Sequence, residues 1–253
     1  MLTQKLRRLR LAHASTVVEA HHQIALQEKL GYLEFLEHLV DDELQSRDEK
    51  GLHKRMRAAH FPVVKTLEEF DFSFQPKLDP LLIKALATAD FIAKHENVLL
   101  IGPPGVGKSH VATALAVKAC MRGYSVLFTT IQHLASRLSA AMADLSIERL
   151  ITQFADADLV VLDELGFTPL NKLAADQIFR IVSERYERGS IIITSNKSFE
   201  QWAEMFADPI LATAVLDRLV HHAHIIPIVG ESYRTRAQRA EAGAKTKPAK
   251  SVT

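Results

Sequence analysis

The sequence predicts a three-layer α/β fold, a parallel sheet with helices on both faces, and three observations predict it. The segment Gly102-Pro103-Pro104-Gly105-Val106-Gly107-Lys108-Ser109 fits the pattern G-x-x-x-x-G-K-[ST]. The apolar run Asn97-Val98-Leu99-Leu100-Ile101 leads straight into it, and a helical stretch, 110–122, leaves it with Gly123 as its stop. Apolar runs then alternate with helical stretches, which is the pattern of strands buried on both faces and joined by crossover helices. Strand, glycine loop and helix in that order are the setting in which the loop binds phosphate, so the core is expected to be of the P-loop nucleotide-binding class.

The first residues, 1–60, read as a separate small helical domain. Lys5, Arg7, Arg8 and Arg10 alternate with Leu6, Leu9 and Leu11, a helix that either faces DNA or is simply solvated. A helix over 17–29 breaks near Gly31. Leu33, Leu36, Val40 and Leu44 keep a 3–4 spacing and mark a second helix, with Glu34, Glu37, Asp41 and Glu43 on its polar face. A third helix is expected over 49–59, carrying Lys54, Arg55 and Arg57. Charges in this domain nearly cancel, so contact with DNA would have to come from one face rather than from net charge.

The main domain is expected to span 61–236. Phe61-Pro62 begins a connector that includes Phe70-Asp71-Phe72-Ser73-Phe74; Phe72 or Phe74 either walls an adenine pocket or packs. A helix over 81–93 precedes the first strand. Further strands are predicted over 125–129, 159–162, 191–194 and 224–229. Helices are predicted over 131–143, 147–154, 174–188, 199–206 and 210–219. Right-handed crossovers place a ligand at the carboxyl ends of such strands. The last residues, 237–253, read as a disordered basic tail. From 231 onward Arg234, Arg236, Arg239, Lys245, Lys247 and Lys250 outnumber Glu231 and Glu241, which gives either phosphate contact or a solvated end.

The bulk composition excludes several classes. With 253 residues, 47% apolar and 24% charged, the chain fits one core plus a smaller module. A single cysteine, Cys120, rules out an intramolecular disulfide and reads as a buried apolar residue. No stretch of 18 apolar residues and no signal-peptide core occur, so a cytoplasmic protein without a membrane segment is expected. A net charge of +1 makes no argument for nucleic acid.

The loop 102–109 can present backbone N–H groups to phosphate, with glycines at 102, 105 and 107 allowing close approach. Lys108 would reach the β- and γ-phosphates, and the Ser109 hydroxyl would ligate Mg²⁺. The run Leu159-Val160-Val161-Leu162 ends in Asp163 and Glu164. There Asp163 can hold Mg²⁺ and Glu164 can take a proton from an attacking water; the alternative is that both cap the following turn. Ile192-Ile193-Thr194-Ser195 ends in Asn196, suited to the lytic water or the γ-phosphate, or else to an Asx turn. Arg218, near the end of the helix 210–219, could act on a neighbouring subunit's γ-phosphate, or else pair with Asp208 or Asp217. Arg234 is a second cationic candidate.

These segments, together with Pro104-Gly105-Val106-Gly107-Lys108-Ser109-His110, Leu162-Asp163-Glu164-Leu165-Gly166-Phe167, Arg185-Tyr186-Glu187-Arg188, Asp217-Arg218-Leu219-Val220-His221-His222 and Gly230-Glu231-Ser232-Tyr233-Arg234, resemble the IstB-like ATP-binding helpers of insertion-sequence transposases. The resemblance covers about 30–236. It implies an AAA+ ATPase that uses ATP and Mg²⁺, with a Walker A loop at Gly102, Pro103, Pro104, Gly105, Val106, Gly107, Lys108 and Ser109, followed by His110. It implies a Walker B pair at Asp163 and Glu164, a sensor at Asn196 and an arginine finger at Arg218. It further implies homo-oligomers bridged by ATP, binding to duplex DNA, and an IstA-like transposase as partner. The segment 131–154 sits where related initiators carry an extra helix, and Arg137 and Arg149 there either contact phosphates or are solvated. The chain after Val229 is too short for the helical lid of many relatives, so no C-terminal lid domain is expected. Two other functions fit the same core. One is a replicative helicase loader, and the other is an architectural DNA-binding protein in which ATP is a structural ligand.

Overall fold

The computed structural model describes residues 1–206, 208–230 and 232–233; Arg234 and the expected tail 237–253 lie outside them. The chain divides into two compact units, Met1–Lys54 and the residues from Arg55 onward.

The first unit is built from α1 (Leu2–Arg8), α2 (Ala14–Glu28) and α3 (Tyr32–Ala58), the last continuing into the second unit. Its core is small: Ala14, Val18 and Leu39 are buried, with Leu6, Leu11, Val17 and Phe35 packed around them. The two helices expected over 33–44 and 49–59 are one helix of 27 residues. The intervening Gln45, Ser46, Arg47 and Asp48 hold no breaker, and Arg47 donates to Glu43 one turn earlier at 2.8 Å. The Glu43 carboxylate also accepts from the Ala14 amide at 2.9 Å, so it ties α3 to the start of α2. Burial alone would push its pKa up, but the Ala14 amide and the Arg47 guanidinium outweigh burial and hold it below the usual range. The 3–4 spaced stripe Leu33, Leu36, Val40 and Leu44 is exposed; α3 buries Leu39, Glu43 and Ser46 instead.

In the second unit a connector leads to α4 (Pro80–Leu86) and α5 (Asp90–Ala93). One helix was expected over 81–93. Ala89 interrupts it with a φ of 66°, a left-handed conformation that no α-helix continues through. There follow β1 (Asn97–Ile101), α6 (Lys108–Met121), β2 (Val126–Thr130), α7 (Ile131–Ala143), α8 (Ile147–Asp156) and β3 (Leu159–Leu165). The described chain continues through α9 (Lys172–Arg185), β4 (Ser190–Ser195), α10 (Trp202–Met205), α11 (Pro209–Val220) and β5 (Ala223–Pro227).

The five strands form one parallel sheet in the order β2-β3-β4-β1-β5. β1 sits between β4 and β5, away from β2, so the chain leaves β1 and returns to the sheet three positions away, with β3 and β4 later filling the gap. That discontinuity opens a crevice beyond the carboxyl ends of β1, β3 and β4. Val98, Leu99, Leu100, Val160, Val161 and Ile192 are fully enclosed, as a sheet covered on both faces requires. α6 is buried along most of its length, Cys120 included, whose thiol is pushed up to about 11 by burial. Among the described residues no helix is long and apolar enough to cross a membrane.

Two buried polar side chains lock the sheet. Asn97 accepts from the Ile191 amide at 2.9 Å and donates to the Leu219 carbonyl at 3.0 Å, joining β1, β4 and α11. Arg185, 1% exposed at the end of α9, donates to the carbonyls of Phe154, Ala155, Ala157, Asp158 and Ser190. Burial lowers its pKa to about 10, against the opposing pull of Asp158, yet it remains charged at neutral pH. A Cβ at Gly189 would stand 2.5 Å from this guanidinium, so the turn into β4 must be glycine. Replacing Arg185 by Met would leave several buried carbonyls without donors. We expect a loss of at least ~3 kcal/mol of unfolding free energy, read from urea denaturation; an unchanged midpoint would contradict this account.

Candidate functional site

The glycine loop springs from the carboxyl end of β1. Gly102 N donates to the Ser195 carbonyl at 3.0 Å, so the loop starts against the end of β4. A Cβ on Gly102 would stand 2.0 Å from the Ile228 carbonyl oxygen, which makes glycine obligatory there. Gly107 takes a φ of 98° and caps α6, whose first residues are Lys108, Ser109 and His110. Several backbone N–H groups and the positive end of the α6 dipole therefore meet at one point. Val106 is buried beneath the loop. Lys108 is held inside it, its Nζ donating to the carbonyls of Gly102 and Pro103, both at 2.7 Å.

β3 brings in the acids. Asp163 is buried at the end of an apolar strand, and its Oδ1 accepts from Ser109 Oγ at 2.8 Å and from the Thr194 hydroxyl. Thr194 in turn accepts from the Glu164 amide at 3.0 Å. One chain of hydroxyls and a carboxylate thus joins α6, β3 and β4. The acids do not cap the next helix, because α9 is capped by Asn171, which accepts from the Ala174 amide. Glu164 is the one exposed residue of β3 and takes a φ of 64° where the β3–β4 register shifts. The shift rotates its side chain out of the sheet, into a groove of about 250 Å³ lined also by Gln132, Ser136, Phe167 and Asn171.

Asn196 follows β4. The turn beyond the strand is held by Ser195, whose Oγ accepts from the Lys197 amide at 3.1 Å, so Asn196 is not spent on it. Asn196 Oδ1 is buried without a hydrogen-bond partner among the described residues, and it lies where a Cβ on Gly166 would sit. A buried carbonyl oxygen left unpaired just beyond the end of β4 is a group suited to a bound ligand or water.

The structure therefore gathers Gly102 to Ser109, Asp163, Glu164 and Asn196 at the ends of β1, β3 and β4. His110 and Arg218 are engaged elsewhere. The His110 ring meets Phe70 edge-on at 5.2 Å, and its Nε2 lies 2.8 Å from the Thr66 carbonyl. The Arg218 guanidinium lies over the Phe179 ring at 4.8 Å and donates to the Ala214 carbonyl. Among the described residues it has no ion pair with Asp208 or Asp217; Asp208 caps α11 instead. Arg137 donates to Gln153 and packs over Phe154, holding α7 to α8.

Two residues of this neighbourhood carry no role in the sequence reading. Thr194 is legible only once β3 and β4 are paired, although a hydroxyl closing the run Ile191-Ile192-Ile193 was a signal. Phe70 covers the loop: its ring would be 2.7 Å from a Cβ on Gly107. Phe72 packs edge-on against Phe70, and Phe74 against Tyr233, whose amide donates to the Gly105 carbonyl at 3.0 Å. The sequence pointed to Phe72 and Phe74, and nothing local distinguishes Phe70 from them.

The oxygen donors Ser109 and Asp163 suit a hard divalent cation such as Mg²⁺, and the loop with Lys108 suits a polyphosphate. Comparisons with known proteins agree with nucleotide binding at this loop. The model of the family described as IstB-like ATP binding protein matches residues 4–242. The ATP-binding protein of insertion sequence IS21 from Pseudomonas aeruginosa is 45% identical, over 96% of this chain and 91% of its own length. Among solved structures, a DNA replication initiation factor matches with a TM-score of 0.56 at 20% identity, over 71% of this chain and 54% of its own. DnaI matches with a TM-score of 0.55 at 22% identity, over 65% of this chain and 90% of its own. At those identities the structures establish only a shared fold, the parallel five-stranded sheet covered by helices. Loop, acidic strand end and family match together show that this chain belongs to the IstB-like ATP-binding proteins of insertion sequences.

Proposed function

We propose that this protein is an ATPase that binds Mg²⁺-ATP at the 102–109 loop, assembles with copies of itself on duplex DNA, and assists a partner transposase in the cytoplasm. The observation that carries the ATPase reading is the 2.8 Å contact between Ser109 and Asp163 with Glu164 beside it. It joins the phosphate cradle to a hard-cation donor pair, and Glu164, the next residue of β3, adds an exposed carboxylate at the same strand end.

In this reading the backbone from Gly102 to His110 cradles the phosphates, and Lys108 shifts from its loop carbonyls to the β- and γ-phosphates. Ser109 and Asp163 hold Mg²⁺, which when bound neutralises charge on the transferring phosphoryl group. Glu164 draws a proton from the attacking water, and the unpaired Asn196 carbonyl orients that water. Arg218 serves a neighbouring subunit. Its seat over Phe179 leaves most of its donors without a protein partner among the described residues. The exposed stripe Leu33, Leu36, Val40 and Leu44 supports a partner-binding role for the first unit. The 45% identity to an insertion-sequence protein over nearly the whole chain favours transposition over helicase loading.

Lys108→Ala is expected to lose nucleotide binding, read by a fluorescent ATP analogue. Glu164→Gln is expected to bind ATP normally and to lose roughly 10²–10⁴-fold in turnover. Undiminished hydrolysis in either variant would remove the assignment.

For Arg218→Ala we expect ATP binding to persist while turnover falls roughly 10³–10⁵-fold. Mixing this variant with Glu164→Gln should partly restore turnover, because mixed interfaces combine an intact pocket with an intact arginine. No recovery on mixing would defeat action between subunits.

Light scattering of the full chain, with and without duplex DNA, should show large assemblies with ATP and not with ADP or without nucleotide. Equal DNA binding in all three conditions would favour a structural role for ATP.

A further inference from the structure

A cluster of side chains with metal-binding chemistry lies outside the nucleotide crevice. Glu187 follows α9, and His221 and His222 follow α11, so two turns meet on the surface of the second unit. One donor atom from each of the three residues lies within 4.8 Å of the other two. The His222 Nε2 and Glu187 Oε1 atoms are 3.7 Å apart. Bonds of about 2.0–2.2 Å to nitrogen and oxygen set tetrahedral donors roughly 3.3–3.6 Å apart. That pair is thus already close to the spacing a tetrahedral ion needs.

The cluster is also supported from outside. Tyr186 Oη lies 2.8 Å from His221 Nδ1, and the two rings stack at 5.8 Å with 28° between their planes. The two imidazoles are themselves 4.0 Å apart, centroid to centroid. Glu187 is held in a left-handed conformation with a φ of 57°. A fixed aromatic hydroxyl against a ring nitrogen is the kind of contact that orients a metal-ligating histidine.

We propose that Glu187, His221 and His222 bind one first-row transition-metal ion of the zinc type, with Tyr186 positioning His221. Two imidazoles and a carboxylate select such an ion over Mg²⁺, which prefers oxygen donors alone. Three protein ligands leave a fourth position for water, and the exposed His222 and Glu187 side chains let the ion in directly from solvent. The bound ion would clip the turn after α9 to the end of α11. Arg218 lies one turn before His221 on that helix, so the clip would also steady the segment that carries it.

The test uses the full-length protein, stripped of metal and without nucleotide, so its result is independent of the ATPase reading. Equilibrium dialysis against Zn²⁺ should give one bound equivalent per chain, and Co²⁺ should show the visible bands of a four-coordinate site. Glu187→Gln and His222→Gln should each weaken Zn²⁺ at least about tenfold, and Tyr186→Phe should weaken it about tenfold without removing a ligand. The variant with Glu187, His221 and His222 all changed to Gln should lose that equivalent, and with it the Zn²⁺-dependent rise in melting temperature that the wild type shows. The Glu187, His221 and His222 side chains are exposed, and circular dichroism of each metal-free variant checks its fold. Equal Zn²⁺ binding by the wild type and the triple variant would place the ion on other histidines and overturn the proposal. No bound equivalent in the wild type would overturn it as well.

Discussion

The site depends on satisfying one buried carboxylate. Asp163 sits 6% exposed at the end of a strand whose other inward residues are apolar. A charge in that position is tolerated only with hydrogen-bond donors around it. Ser109 and Thr194 supply them from α6 and β4, and the Thr194 oxygen then takes the Glu164 amide. The elements that carry phosphate-binding and acidic groups are therefore tied to each other, and not merely adjacent. Loss of either hydroxyl would disturb both the ends of the central strands and the start of α6.

Arg185 and Arg218 show how the same side chain serves two ends. Arg185 is enclosed and shares its donors among five carbonyls at the ends of α8, β3 and β4. It behaves as a structural clip, and its charge is offset by peptide dipoles. Arg218 rests on the face of Phe179 with a single carbonyl partner among the described residues. A ring holds a guanidinium in place by its quadrupole while leaving the donor edge open. The first arrangement consumes hydrogen-bonding capacity and the second preserves it.

Much of the fold was legible because the sheet is buried on both faces. Continuous apolar runs such as Val98-Leu99-Leu100 and Val160-Val161-Leu162 have few alternatives to a parallel strand, and the glycine loop fixes where the first one ends. Helix junctions were less legible. The join between 44 and 49 carries no breaker, so one helix runs through it, and the break at Ala89 is a backbone choice that the residue type does not announce. Within the site, the residues on the loop and the strand ends were readable from position alone. Thr194 and Phe70 were not, because their roles come from the register of β3 against β4 and from the path of the connector. The exposure of Leu33, Leu36, Val40 and Leu44 shows the same limit: periodicity marks a helix face without saying what covers it.

The backbone at Glu164 sets two selective pressures against each other. A left-handed conformation costs a side-chain-bearing residue roughly 1–2 kcal/mol, and glycine would escape that strain. Breeding this chain for heat resistance alone would therefore drift toward glycine at position 164 and discard the carboxylate in the process. On the role proposed for Glu164, a hardened but inert descendant is the outcome such a screen invites, unless survival of activity is scored at every round.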